Sequence, residues 1–341
     1  MIGDYSPRDN EQAPAPLLTV DELQVHFPIR DGLLRRQVSA ARAVDGVSFA
    51  IAPGETVALV GESGAGKTLV GRAILQLTQP TGGRVFFQGQ DVTRPNAAAL
   101  RALRRQIHML FQDPYRSLNP RMAVGKLVGE PLAVHNIGRA AEREARVAAL
   151  LQQVGLNPYC AARPPFEFSG LQRQRVNLAR ALASEPALLI LDEPLTRLDP
   201  ALHAQLMALL AALRAEQGLT YLLLARDLAS VRGFAQQVGM LYAGQVVELG
   251  DVAGVWERPL HPYTQVLLSQ LPDAELPSQT NRQRLQLDGS PPDPARPPSG
   301  CRFHPRCPYA TDECRRLEPE YRNLGTEQRP HWVACHYAER F

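Results

Sequence analysis

The chain lacks a long apolar run, lacks a marked excess of either charge and has few cysteines, and each shortage closes off a class of protein. A helix that crosses a bilayer needs about 18 or more consecutive apolar residues, and no stretch of the 341 residues reaches that length. Lysine and arginine total 37 against 34 aspartates and glutamates. A net charge of +3 gives no reason to expect a nucleic-acid partner, and the basic residues are scattered apart from Arg35–Arg36 and Arg104–Arg105. Residues 1–16 are polar and acidic rather than basic and then apolar, which predicts a disordered leader and not a secretory signal. A chain kept in the cytosol would hold its five cysteines as thiols unless they bind a metal.

The apolar pattern then divides the chain. Leu17 to about Val47 has the alternation of short strands broken by a polar loop at residues 30–37. Thr56–Val60 is an apolar run of strand length, followed by a glycine-rich loop and by helical character from Thr68 to Leu77. Helices are expected to dominate from about Asp113 to Pro186. There, Val147, Leu150, Leu151 and Val154 fall at helical spacing before Gly155. Ala187–Leu191 is a second buried-strand run. Leu202, Leu206, Leu209 and Leu213 form another helical stripe, and Tyr221–Leu224 and Val246–Leu249 suit two more strands. Strands alternating with helices imply a mostly parallel sheet with a helical insertion. After about Pro259 the character changes: eleven of the 29 prolines lie between Pro272 and Pro330 and four of the five cysteines between Cys301 and Cys335, which predicts a separate, loop-rich appendage.

Gly61-Glu62-Ser63-Gly64-Ala65-Gly66-Lys67-Thr68 fits the pattern of a phosphate loop between strand and helix. Its glycines let backbone N–H groups turn inward around phosphate, Lys67 reaches the β- and γ-phosphates, and Thr68 holds Mg²⁺. The helix that follows adds its positive N-terminal end. Asp192 and Glu193 end the strand Leu188–Leu191, where Asp192 is placed to ligate Mg²⁺ and Glu193 to polarise an attacking water.

Cys301, Cys307, Cys314 and Cys335 are separated by five, six and twenty residues. Four thiolates suit tetrahedral Zn²⁺ or a [4Fe–4S] cluster. The absence of a close pair with two residues between leans away from a zinc ribbon, and His304, His331 and His336 are further ligands if the metal is zinc. Two disulfides or four free thiols are the plain alternative. Cys160 stands alone and suits a packed small side chain.

Several segments together resemble the ABC ATPases, and within them the ATP-binding subunits of bacterial dipeptide/oligopeptide importers, from about Leu17 to the end. Phe111-Gln112-Asp113-Pro114-Tyr115, followed by Ser117–Met122, resembles the glutamine loop of that subgroup. Phe166–Val176, containing Ser169-Gly170-Leu171-Gln172, resembles the signature that touches ATP bound by the opposite subunit. Leu198-Asp199 ends a stretch like the D-loop. Phe27 sits where the family stacks an aromatic ring on adenine, although one Phe in a strand pattern suits a core position as well. His261-Pro262-Tyr263-Thr264 and Gly300–Pro308 are typical of the same subgroup, with no chemistry derivable from their spacing.

The resemblance implies an α/β P-loop (RecA-like) ABC ATPase core with an antiparallel β subdomain and a helical subdomain. The nucleotide-binding domain would span 17–258, its helical subdomain about 113–186, and a Cys/Pro-rich extension 259–341. It implies Mg²⁺ contact at Gln112 beside Thr68 and Asp192, with Glu193 and Gln112 as catalytic residues. It also implies a [4Fe–4S] cluster in the tail. The implied partners are a second ABC ATPase in a heterodimer, two transmembrane permeases and an external solute-binding protein, which places the chain on the cytoplasmic face of the cell membrane. The form of the loop after Phe27 and of Ser117–Met122 resembles the second of the two ATPases of such importers. A soluble ABC protein acting on ribosomes or DNA fits less well, because such chains usually carry two cassettes.

Two positions depart from that pattern. Leu171 replaces the second glycine of the signature, where backbone approaches ligand closely. Arg226, in Ala225-Arg226-Asp227-Leu228, replaces the switch histidine. Arginine is always charged and only donates, so it would clamp the γ-phosphate and slow turnover at its own site. That predicts normal binding of Mg·ATP with reduced hydrolysis, or, in the extreme, a non-hydrolytic regulatory subunit.

Overall fold

A computed structural model of the chain describes residues 15–31, 36–113, 117–194, 199–271, 287 and 289–341. The leader expected over residues 1–16 lies outside them except for its last two positions. The described residues form two compact units, one from the described parts of 1–52, 56–94 and 224–341 and the other from 53–55 and 95–223.

The first unit opens with β1 (Leu18–Asp31) and β2 (Arg36–Ile51), a long antiparallel pair. The ladder continues through Arg30 and Asp31 opposite Gln37 and Arg36, so strand pairing takes up both ends of the expected polar loop and only residues 32–35 fall outside the described part. β3 (Thr56–Val60) follows, buried throughout, as its unbroken apolar run requires of a central strand. α1 (Lys67–Ile74) stops three residues short of the expected end, because Gln76 takes a φ of 54° and Leu77 is exposed. β4 (Gly82–Phe87) and β5 (Gln90–Asp91), not expected from the sequence, complete a four-stranded antiparallel sheet in the order β2-β1-β4-β5.

The second unit contains α2 (Ala97–Gln106), β6 (Ile107–Leu110), α3 (Val124–Val134), α4 (Ala140–Gln153), α5 (Gly170–Leu182), β7 (Leu188–Asp192), α6 (Pro200–Gln217) and most of β8 (Thr220–Ala225). Val147, Leu150, Leu151 and Val154 are buried as their spacing predicts. On α6 the fully buried positions are Leu206, Leu210 and Leu213, so Leu210 replaces the expected Leu209. A spacing of four and then three residues keeps one face toward the core.

The chain then returns to the first unit with β9 (Gln237–Tyr242), β10 (Gln245–Asp251), α7 (Val252–Glu257), α8 (Pro262–Ser269), α9 (Asp312–Arg316), β11 (Tyr321–Asn323) and β12 (His331–Ala334). Contrary to expectation the tail is not a separate appendage. β12 pairs antiparallel with β10, Glu248 opposite Val333, giving the order β11-β12-β10-β9-β3. Buried Leu260, Val333 and Ala338 share one apolar cluster. The tail has too few apolar residues for a core of its own, and an open strand edge offers it both hydrogen bonds and burial.

Candidate active site

β3 runs parallel to β9 with Val60 opposite Met240, and the chain turns at once into Gly61–Thr68. A Cβ on Gly61 would meet the Leu241 carbonyl oxygen at 2.1 Å, and one on Gly66 would meet that of Ala43 at 2.5 Å. Gly66 also has a φ of 108°. Only glycine fits either position. The Gly61 N–H donates to the Ala225 carbonyl at 3.3 Å, and Gly244 donates to that of Ala65 at 3.0 Å. The loop is therefore anchored through its backbone at both of these points.

Lys67 is buried, and its Nζ donates to the carbonyls of Gly61 at 2.7 Å and Glu62 at 3.0 Å. An ammonium held on carbonyls of its own loop is placed to exchange them for phosphate oxygens. No side chain caps α1, so its first-turn N–H groups point out of the helix end at which Lys67 and Thr68 stand. Phe27 is 44% exposed and is therefore no core residue. It pairs with Ala41 on β2, two residues before the Ala43 carbonyl that abuts Gly66. Arg226 is exposed and directly follows Ala225, the residue bonded to Gly61. Phe27, the glycine loop and Arg226 are thus gathered in the first unit.

The second unit gathers the carboxylates. β6 and β7 are parallel, with Leu110 opposite Leu191. Two residues beyond that pair come Gln112 and Glu193, and the Gln112 amide donates to the Glu193 carboxylate at 2.9 Å. Asp192, the last residue of β7, is 3% exposed. Glu193 has a φ of 43°, a left-handed conformation that costs a non-glycine residue about 1–3 kcal/mol and concentrates at working sites. Gln174 of α5, which sequence reasoning missed, donates to the carbonyl of Pro194 at 3.2 Å and ties the signature helix to the chain just past Glu193.

Ser169 caps α5 in a reciprocal pair with Gln172. The Leu171 side chain is buried. The neighbouring Gly170 faces open space, since a Cβ there would meet nothing within 4 Å. Asp199 caps α6 by accepting from the N–H groups of Ala201 and Leu202. Leu198, Pro114 and Tyr115 lie outside the described residues.

Cys301, Cys307, Cys314 and Cys335 are free thiols rather than disulfides, and they line one cavity of about 20 Å³ together with His304 and His336. The backbone N–H groups of Phe303, Tyr309 and Tyr337, each two residues past a cysteine, donate to the sulfurs of Cys301, Cys307 and Cys335. Burial pushes Cys301 up to about 12 and Cys335 up to about 11, so these thiols ionise only for a strongly attracting cation. Among the described residues no three His, Cys, Asp or Glu side chains form a group that would hold a metal ion. His331 is not at the cavity; it bonds to Glu248 at 2.7 Å. Cys160 is a half-buried free thiol.

Comparison with known proteins adds an independent line. An ABC transporter family model matches residues 44–196, and a model of the oligopeptide/dipeptide transporter C-terminal region matches 247–314. The oligopeptide transport ATP-binding protein AppF of Bacillus subtilis is 44% identical over 321 residues, which cover 94% of this chain and 97% of that one. The glutathione import ATP-binding protein GsiA of Pectobacterium atrosepticum is 47% identical over 296 residues, covering 86% of this chain and 47% of that protein. Among solved structures, a dimeric ATP-binding cassette in a post-hydrolysis state bound to ADP and Pi superposes with a TM-score of 0.61 at 27% identity, over 69% of this chain and 98% of that one.

Proposed function

This chain belongs to the ABC transporter ATPases that carry the oligopeptide/dipeptide C-terminal region, and we propose that it energises import of di- or oligopeptides by binding and hydrolysing Mg·ATP. The observation that carries the reading is the union in one chain of a backbone-fixed phosphate loop at Gly61–Thr68 with that C-terminal region. Lys67 and the loop N–H groups hold the β- and γ-phosphates, Thr68 and Asp192 hold Mg²⁺ with Gln112 contributing, and Phe27 stacks on adenine. Glu193 orients and polarises the attacking water, with Gln112 directing its carboxylate. Ser169, Gly170, Leu171 and Gln172 at the start of α5, with Asp199, serve the nucleotide of a partner ATPase. The nucleotide-binding domain is assigned to 17–258, with a helical subdomain at about 113–186, and the extension to 259–341.

Among the described residues no helix is long and apolar enough to cross a membrane. Work on a transported solute therefore requires docking, at the cytoplasmic face, on two permeases fed by a solute-binding protein, beside a second ATPase of the same fold. The names of the relatives differ in cargo, peptide for AppF and glutathione for GsiA, which fits a division of labour in which other subunits choose the solute. In the tail, Cys301, Cys307, Cys314 and Cys335 are assigned to a [4Fe–4S] cluster. Thiols around one cavity with N–H donors on three sulfurs support that assignment, although the described side chains do not stand as a ready-made metal group. When bound, the cluster supplies a covalent cross-link to a proline-rich segment.

The substitution at Arg226 supports a second reading, in which this subunit binds Mg·ATP and leaves most turnover to its partner. Reconstitution with both permeases and the second ATPase in vesicles tests both. Peptide uptake that requires ATP and is abolished by Lys67→Ala supports the first; uptake and hydrolysis indifferent to Lys67→Ala would exclude both.

A further inference from the structure

Two tail motifs, His261–Thr264 and Cys301–Pro308, have no part in the nucleotide chemistry above, yet both reach one residue of the phosphate loop. Arg306 pairs bidentately with Glu62, Nη1 to Oε2 at 2.9 Å and Nη2 to Oε1 at 3.1 Å. The Glu62 N–H donates to the Tyr263 hydroxyl at 3.0 Å. The Arg306 side chain is 6% exposed and that of Glu62 24%. Arg306 also lies over the Tyr242 ring, 5.8 Å from its centroid, and Phe303 packs against Tyr242 and Tyr263 with centroids 5.1 and 5.6 Å away.

Four residues earlier, Arg302 makes a second anchor. Its guanidinium pairs with Asp45 and donates to the Ala243 carbonyl. The Asp45 carboxylate also bonds His26 at 2.7 Å, the residue before Phe27, while the Asp45 N–H donates to Gly244, which in turn donates to Ala65 of the loop.

An exposed ion pair contributes little, but a bidentate pair shielded from water is both stronger and directional. The charge matters too. Glu62 belongs to a loop built to surround a polyanion, and an uncancelled carboxylate there would repel phosphate. We propose that Arg306, with Arg302 as the second anchor, is a positioning residue for nucleotide. The tail braces the phosphate loop through Glu62 and the Phe27 strand through Asp45, and the intact brace sets the affinity for Mg·ATP. The inference rests on the reading of Gly61–Thr68 as an ATP phosphate loop.

Titration calorimetry of the full chain with Mg·ATP tests it. Arg306→Gln is expected to raise Kd about tenfold, and Arg306→Lys, which keeps the charge and loses the fork, to recover part of that loss. Adding Glu62→Gln to Arg306→Gln should tighten binding again, because the uncancelled carboxylate is gone. Wild-type affinity in Arg306→Gln, or no recovery from Glu62→Gln, overturns the proposal. If Arg306→Gln does not fold, Arg306→Lys carries the test alone: a Kd several-fold above wild type supports the brace and an equal Kd overturns it. A wild-type chain that fails to bind Mg·ATP would instead overturn the phosphate-loop reading itself.

Discussion

Gln112 and Glu193 share a hydrogen bond of 2.9 Å although 81 residues separate them. The cause is register: Leu110 and Leu191 face each other on parallel strands, so residues two further on emerge side by side. The amide of Gln112 spends one donor on the carboxylate that the proposed reaction needs as an acceptor, and so fixes its direction before substrate arrives.

Glu193→Gln keeps the shape and removes the acceptor. Phosphate release by the assembled transporter should fall about 10²–10⁴-fold, while Mg·ATP still binds. Turnover at the wild-type rate would show that Glu193 is not the base.

Arg226→His restores a neutral hydrogen-bonding group beside the loop. If the arginine clamps the γ-phosphate, this variant hydrolyses ATP several-fold faster in the heterodimer, with little change in Kd. An unchanged or slower rate removes Arg226 as the cause of slow turnover.

Glu248 is fully buried and accepts from the N–H groups of Leu260 and His261, the Thr264 hydroxyl and the His331 ring. Glu248→Ala strands those donors and should cost about 3–5 kcal/mol in urea denaturation. Hydrogen exchange should rise in β12 and α8 first. A loss below about 1 kcal/mol, the range of an exposed pair, would contradict the role of Glu248 as the tie between tail and sheet.

Burial, reinforced by His135 and Arg180, pushes His108 down to about 4, and its Nε2 lies 2.6 Å from the Ser184 hydroxyl. In the fold it stays neutral, while the unfolded chain takes up a proton below about pH 6.5. Its contribution to stability is therefore complete above that pH and is lost toward acid, by up to about 1.4 kcal/mol per pH unit until about pH 4. Urea midpoints at pH 7 and pH 5 should differ more in wild type than in His108→Asn; equal slopes would refute the assignment.

Protein purified without oxygen should carry iron and sulfide and show visible charge-transfer absorption. Cys314→Ser should lose that absorption. Wild-type protein with neither iron nor colour would reject the cluster.

Much of the proposed site was legible because its chemistry is local. The phosphate loop, the Asp192–Glu193 pair and the signature are short, contiguous patterns whose residue types follow from phosphate, Mg²⁺ and helix-end chemistry. Positions that depend on distant neighbours were less so. Phe27 suited core or surface equally until β1 placed it outside. The inward turn of Leu171 on α5 was not legible, and the tail looked separate until β12 found the edge of β10.

The sequence by itself determined that the chain belongs among the ABC ATPases and carries the pattern of a phosphate loop, since that loop's backbone conformation is set by residues close together in the chain. Only the tertiary structure decided what the two tail motifs touch. Arg306 and Glu62 are 244 residues apart, and no periodicity or spacing encodes a contact between the short turn His304–Arg306 and the loop after β3. Charge pairs of that kind come from topology, because attraction between two side chains acts only over the few ångströms that the backbone path brings them within.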